Sequence, residues 1–112
     1  MKMDSCIFCK IASGEIATSF VYEDDLTVAF KDLQPQAPVH ILLIPRRHVV
    51  SLEEARDPQL LGHLLMAAKN AAEIIGLAQY RLVINTGPDA GQSVFHLHLH
   101  ILGGRQMNWP PG

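Results

Sequence analysis

The chain has no run of like charge, no long apolar stretch and only two cysteines, and each absence removes a class of protein. Its 9 basic and 11 acidic residues leave a formal net charge of −2, and no basic cluster exceeds Arg46–Arg47. A nucleic-acid-binding surface is usually strongly basic, so no nucleic-acid partner is expected. The most apolar window, Leu60 to Ala68, is interrupted by Gly62 and His63 and is too short to span a bilayer, so no membrane partner is expected either. Met1-Lys2-Met3-Asp4 leads into no apolar run of signal-peptide length, which makes the cytoplasm the expected location. Internal repeats, low-complexity tracts and linker-like changes of composition are also missing.

The two cysteines, Cys6 and Cys9, are spaced C-x-x-C. A reducing compartment disfavours a structural disulfide between them. Metal ligands, a redox pair and two buried thiols all remain open. Apolar residues make up 48% of the chain and charged residues 18%, which argues against disorder. The 112 residues suit a single domain over 1–112. A chain of this size buries roughly two-thirds of the surface its unfolded form exposes.

Local patterning predicts an α+β fold. Residues 5–12 read as a short N-terminal helix capped by Ser5 and ended by Gly14. Residues 19–23 and 26–31 read as a hairpin about Asp24-Asp25, and 39–44 as a strand closed by Pro45. Asp57-Pro58 opens a long helix, with Asp as N-cap and Pro at the first helical position. Leu61, Leu64, Leu65, Ala68, Ala72 and Ile75 then recur at helical spacing, and Gly76 stops the helix. Leu60, Leu64, Met66 and Ala67 add apolar surface beyond what the helix's own sheet needs, which points to a homodimer. Residues 80–85 and 95–102 supply the fourth and fifth strands. The whole reads as a five-stranded antiparallel sheet with the long helix on one face. Strand 80–85 is placed to pair across a two-fold axis and continue the sheet into a second copy.

The most informative segment is His96-Leu97-His98-Leu99-His100-Ile101-Leu102. Side chains alternate along a strand, so the three histidines share one face and Leu97, Leu99 and Ile101 the other. The apolar face belongs to the core, and the histidine face must line a cleft or bind something. A lone histidine such as His63 reads as solvated or hydrogen-bonded, but a strictly alternating triplet does not. One metal does not fit all three, because at strand rise His96 and His100 are separated by roughly 13 Å. At least one histidine is therefore free for chemistry. A neutral imidazole is a good nucleophile near neutral pH. Just upstream, Gly91 permits close backbone approach, and the Gln92 and Ser93 N–H groups are candidates to face an anion.

The triplet resembles the His-φ-His-φ-His-φ-φ signature of the histidine triad superfamily, φ being apolar. The likeness extends through Phe30-Lys31-Asp32-Leu33-Gln34-Pro35-Gln36-Ala37-Pro38-Val39-His40, Ile44-Pro45-Arg46-Arg47-His48 and Gly91-Gln92-Ser93-Val94-Phe95-His96. The ending Gly103-Gly104-Arg105-Gln106-Met107-Asn108-Trp109-Pro110-Pro111-Gly112 is similar to the Hint branch, the histidine triad nucleotide-binding proteins.

This resemblance implies a homodimeric purine nucleoside phosphoramidase acting on adenosine 5′-monophosphoramidate-type substrates and aminoacyl adenylates. His98 would attack phosphorus and form a nucleotidyl-histidine, with His96, His100 and His40 completing a histidine network. The positions of Ser93 and Asn85 would touch the phosphate and leaving group, and Asp32 the ribose hydroxyls. The base of the AMP moiety would lie in an apolar slot of Phe8, Ile11, Ile16, Phe30 and Leu33, next to Gln92, His98 and His100. The C-terminal segment would approach the partner's active site, where Trp109 would help choose the leaving group. Catalysis would need no cofactor. Triad proteins that carry the cysteine pair imply a structural zinc on Cys6, Cys9, His48 and His96, which would withdraw His96 from catalysis. Other activities within reach are dinucleoside polyphosphate hydrolysis, as in the Fhit branch, and nucleotide-dependent regulation or scaffolding with incidental hydrolysis. Histidine rather than glutamine at position 100 favours hydrolase over uridylyltransferase.

Overall fold

A computed structural model describes residues 5–112; residues 1–4, which carried the expectation about a leader segment, lie outside the described residues. The chain forms α1 (Ile7–Ser13), β1 (Tyr22–Glu23), β2 (Thr27–Lys31), β3 (Val39–Pro45), α2 (Pro58–Ile74), β4 (Tyr80–Val83) and β5 (Leu99–Gly103). Single 3-10 turns at Leu52–Glu54 and Pro88–Ala90 interrupt the connections. The five strands form one sheet in the order β1-β2-β3-β5-β4, with every neighbouring pair antiparallel. The α+β class and the five-stranded antiparallel sheet are as expected.

Alternation along the strands divides the core between two faces. Ala29, Ile41, Leu43, Leu97, Leu99 and Ile101 pack with α2 on one. Val28, Phe30, Leu42 and Ile44 pack with Phe8, Ile11 and Ala12 of α1 on the other. The long helix covers one face, as expected, and α1 covers the other.

Helix α2 begins as expected, the Asp57 carboxylate accepting from the Gln59 N–H at 3.0 Å. Its inward stripe is Leu60, Leu64, Ala67, Ala68, Ala71 and Ala72. Leu60, Leu64 and Ala67 are thus core residues rather than surplus, and of that group Met66 is the exposed one. Leu65, assigned to the inward stripe from spacing, is half exposed. The inward face is rotated by about one residue from the expected stripe, and its alanines pack in the core with the leucine face of the sheet.

The cap of α1 is Cys6, not Ser5: its sulfur accepts from the Cys9 N–H at 3.4 Å. Strand β1 covers two residues of the expected 19–23, and β4 ends at Val83 rather than 85. Strand β5 starts at Leu99, although 95–102 is the expected span. The last β3–β5 pair is Leu43 with Leu99. Beyond it Leu97 N–H turns to the Val49 carbonyl at 2.6 Å. Side-chain alternation nevertheless persists: Leu97 stays in the α2-side core, while His96 and His98 contact Phe8 of α1.

The β1–β2 turn is organised by Asp24. Its Oδ1 accepts from the N–H groups of Leu26 (2.9 Å) and Thr27 (2.8 Å). Its Oδ2 accepts from Tyr22 Oη (2.7 Å) and His63 Nε2 (2.9 Å). The last bond ties the turn to α2, so His63 is a hydrogen-bonded residue.

Candidate active site

Strand β5 and the segment before it set three imidazoles in a row. The His98 and His100 ring centroids are 5.1 Å apart, as are those of His100 and His40 on the neighbouring β3. His96 and His100 fall into separate clusters of ligand atoms, in keeping with their separation along the chain.

The partners of each ring decide where its proton sits. His98 Nδ1 is 2.7 Å from the His96 carbonyl. A carbonyl only accepts, so Nδ1 bears the hydrogen and Nε2 keeps a lone pair. His40 Nδ1 accepts the Gln36 N–H at 2.9 Å, which puts the proton of neutral His40 on Nε2. That Nε2 is 2.9 Å from His100 Nδ1 and 3.4 Å from Asp32 Oδ2. His100 Nδ1 therefore accepts, and His100 carries its own proton on Nε2. Burial lowers the His40 pKa against the opposing pull of Asp32. Burial, reinforced by His98 and His40, lowers that of His100 to about 4. Both rings are neutral near pH 7. The row thus pairs a bare nitrogen on His98 with an N–H donor on His100, which suits attack on an electrophile whose oxygen needs a hydrogen bond.

The same proton placement separates two ligand clusters. Asp32, His40 and His100 converge, but a metal on His40 Nε2 would displace the proton that Gln36 fixes there. That cluster is a hydrogen-bond relay. In the other cluster, Cys6, Cys9, His48 and His96, the ring chemistry runs the opposite way. His96 Nε2 donates to the Pro45 carbonyl at 2.8 Å, which leaves the Nδ1 lone pair facing Cys6 Sγ (3.3 Å) and Cys9 Sγ (3.5 Å). His48 Nδ1 lies 3.3 Å from Cys9 Sγ, while its Nε2 is buried without a partner. Ligand atoms bound tetrahedrally at Zn–S of about 2.3 Å and Zn–N of about 2.0 Å would be separated by roughly these distances. The donor set fits a zinc ion. Burial, then the hydrogen bond and charge of Cys6, push the Cys9 thiol up to about 11. Burial, with the opposing Pro45 bond and the charges of His48 and His98, takes His96 down to about 4. Both ring nitrogens of His96 are engaged, so its ring has none left for substrate.

The other expected site residues fall as follows. Asp32 accepts from the Gln34 N–H at 2.8 Å and keeps its second oxygen toward His40. Phe8, Ile11 and Phe30 are buried, Phe8 edge-on to Phe30 and His98 with centroids at 5.7 and 5.2 Å. Ile16 and Leu33 are exposed, Leu33 almost wholly so at 96%. Asn85 lies beyond β4, where a Cβ added at Gly91 (φ +100°) would meet its side-chain amide at 3.5 Å. Ser93 is exposed. Gln92 departs from expectation: its N–H donates to the Gly87 carbonyl at 3.0 Å and does not face an anion. Its side chain is an internal strut, accepting from Gly87 N–H and donating to the Val50 and Val94 carbonyls. Two concavities of about 630 and 500 Å³ lie along the 46–60 connection, and His98 and His100 line neither.

Sequence reasoning missed the Gln36 N–H and Arg105. Arg105 Nη2 donates to the Gln36 carbonyl at 3.0 Å across 69 positions. Nothing in a single sequence announces so distant a contact.

The HIT domain family model matches residues 13–107. An uncharacterised HIT-like protein of Synechocystis is 57% identical over 112 residues, spanning 97% of this chain and 98% of the relative. Among solved structures, a HIT family hydrolase from Legionella pneumophila superposes with a TM-score of 0.92 at 49% identity, covering 96% of this chain and 100% of the other. A histidine triad nucleotide-binding protein of Candida albicans gives 0.82 at 33% identity, with 95% and 83% covered. A zinc-bound histidine triad family protein of Mycobacterium smegmatis gives 0.81 at 31% identity, with 93% and 78% covered. This chain belongs to the HIT domain family.

Proposed function

We propose that the protein is a nucleotide hydrolase of the Hint type, a purine nucleoside phosphoramidase built as one HIT domain over 1–112. The observation that carries this reading is His98 Nδ1 held on the His96 carbonyl at 2.7 Å, which makes Nε2 the acceptor nitrogen of the neutral ring, beside a His100 ring whose Nδ1 is taken up by His40. In the proposed reaction His98 Nε2 forms a bond to the α-phosphorus as the substrate P–N bond breaks. The departing nitrogen takes up a proton from solvent, which the hydrolytic water later returns, and leaves as the amine. Water then cleaves the nucleotidyl-histidine to AMP and free His98. His100 Nε2–H stabilises charge on a phosphoryl oxygen, with Ser93 and Asn85 at the phosphate and leaving group. Asp32 accepts from the ribose hydroxyls, and the base lies over Phe8, Ile11 and Phe30 with Ile16 and Leu33 at its edge. Gln92 shapes the loop that carries Ser93.

A structural zinc on Cys6, Cys9, His48 and His96 belongs to the proposal, supported by the matched donor set and by the zinc-bound mycobacterial relative. Bound there, it would tie α1 to the approach of β5 and take no part in the reaction. His96 then serves catalysis through its carbonyl, which orients His98. A homodimer is proposed from the edge strand β4 and the exposed Leu65, Met66 and Ile74. The cytoplasm is the proposed location. No helix among the described residues is long and apolar enough to cross a membrane.

Turnover of a panel of purine and pyrimidine phosphoramidates, alongside diadenosine polyphosphates, tests the substrate class. His98→Ala should cost several orders of magnitude in rate while the fold and AMP binding persist. A variant that kept a tenth of the wild-type rate would remove His98 as nucleophile.

A further inference from the structure

The His40–His100 relay leads out of the site. His40 is held from one side by the Gln36 N–H. Gln36 is held in turn by its own carbonyl, which accepts from Arg105 Nη2 at 3.0 Å. The two bonds lie on either side of the Gln36 Cα, so both peptides that flank it are tethered. Arg105 is itself pinned, its Nη1 donating to the Gln106 carbonyl at 3.1 Å. The chain enters it through Gly104 (φ +90°), where an added Cβ would come within 2.9 Å of Pro38 Cβ. The segment leaving β5 is thus pressed onto the loop that carries Asp32 and Gln36.

We propose that Arg105 is a positioning residue, anchoring the Gln36 carbonyl and so steadying the Gln36 backbone, whose N–H fixes the proton of His40 on Nε2 and thereby that of His100 on Nε2. This deepens the catalytic role proposed for His100 and rests on it. The logic is one of complementary donors and acceptors. If the Gln36 peptide turns, His40 can carry its proton on Nδ1 instead. Its Nε2 lone pair then faces the His100 Nδ1 lone pair. The contact is relieved when the His100 proton moves to Nδ1, between the two rings. His100 then turns a bare nitrogen toward the phosphoryl oxygen, and the donor is lost where charge develops. Arg105 touches no reacting atom in this scheme, and its effect reaches the site through two backbone groups and one ring.

The test is long-range ¹H–¹⁵N correlation on histidine-labelled full-length protein, which separates Nδ1–H from Nε2–H rings. The wild type should show His40 and His100 as Nε2–H and His98 as Nδ1–H. Arg105→Met should introduce Nδ1–H character at His40 and His100 while His98 stays unchanged. Arg105→Lys, which retains a cationic N–H donor group, should restore most of the wild-type pattern. In parallel, Arg105→Met should lower kcat on adenosine 5′-monophosphoramidate by about tenfold with KM within about twofold, the signature of an interaction made in the transition state. A wild-type His40 that carries Nδ1–H overturns the proposal outright, without reference to any variant. So does an Arg105→Met protein with wild-type tautomers. The tautomers are read without substrate, so a wild type inert toward phosphoramidates would count against the proposed reaction and leave the Arg105 result standing.

Discussion

Replacing Asp24 should be among the most damaging single changes away from the histidines. Its carboxylate accepts four hydrogen bonds, from Tyr22 Oη, the Leu26 and Thr27 N–H groups and His63 Nε2. A net contribution of about 1 kcal/mol each gives an upper figure of about 4 kcal/mol for Asp24→Ala. The side chain is 23% exposed and water recovers part of that, so about 3 kcal/mol is expected. For a chain of this size that corresponds to a fall in Tm of about 15 °C. Asp24→Asn should cost about half as much, since its carbonyl still serves the two backbone donors while His63 loses its acceptor. Burial alone would raise the Asp24 pKa, but the bonds from Tyr22, Leu26, Thr27 and His63 outweigh it and hold the carboxyl well below its usual range. A depressed folded-state pKa contributes stability that is complete above the unfolded value near 3.9 and is lost as pH falls below it. Thermal denaturation from pH 6 to pH 3, at one protein concentration, reads both effects. Wild type should lose more stability across that window than Asp24→Asn. An Asp24→Ala protein melting within about 3 °C of wild type, or two parallel pH profiles, would refute the reasoning.

Protein purified without chelator should contain about one zinc per chain, and its removal should lower Tm; native protein with no metal and two freely titrating thiols would rule the site out. Sedimentation at micromolar concentration should show a dimer, and Met66→Glu with Leu65→Glu should shift it toward monomer; a wild-type monomer defeats that reading. Truncation after Gln106 spares Arg105 and removes Trp109, whose ring lies 5.8 Å from the Arg81 guanidinium. It should change discrimination between amine leaving groups more than it changes AMP affinity, and an unaltered leaving-group profile would exclude a role for the tail.

The parts of the structure that were legible in sequence are those governed by short-range periodicity. Period two over 96–102 assigned the histidines and leucines to opposite faces, even where the ladder had not begun. Asp57-Pro58 marked the start of α2 because an N-cap bond is made within two residues. What was hidden depends on contacts between distant positions. Leu60 and Ala67 could not be recognised as core until the sheet they cover was known. Asp24 meets His63 across 39 positions, and neither residue type signals the other. The Gln92 N–H looked free for an anion because its acceptor, the Gly87 carbonyl, is presented by a turn whose shape residue types alone do not specify. The protons on His40 and His98 are set by backbone groups, and that on His100 by His40 in turn, which no residue pattern displays.

The two-sidedness of the 96–101 segment bears on how freely the protein can change. Leu97, Leu99 and Ile101 face α2 and are at most 2% exposed, while His98 and His100 face away from it. On the proposed reading, folding stability rests on Leu97, Leu99 and Ile101 and turnover on His98 and His100, with none of these five side chains asked to supply both. A survey of all substitutions along it should show two interleaved sensitivities, abundance falling at the aliphatic positions and turnover at 98 and 100. Variation can repack the leucine side without retuning the reaction, and the imidazole side can drift toward new leaving groups without first spending the core.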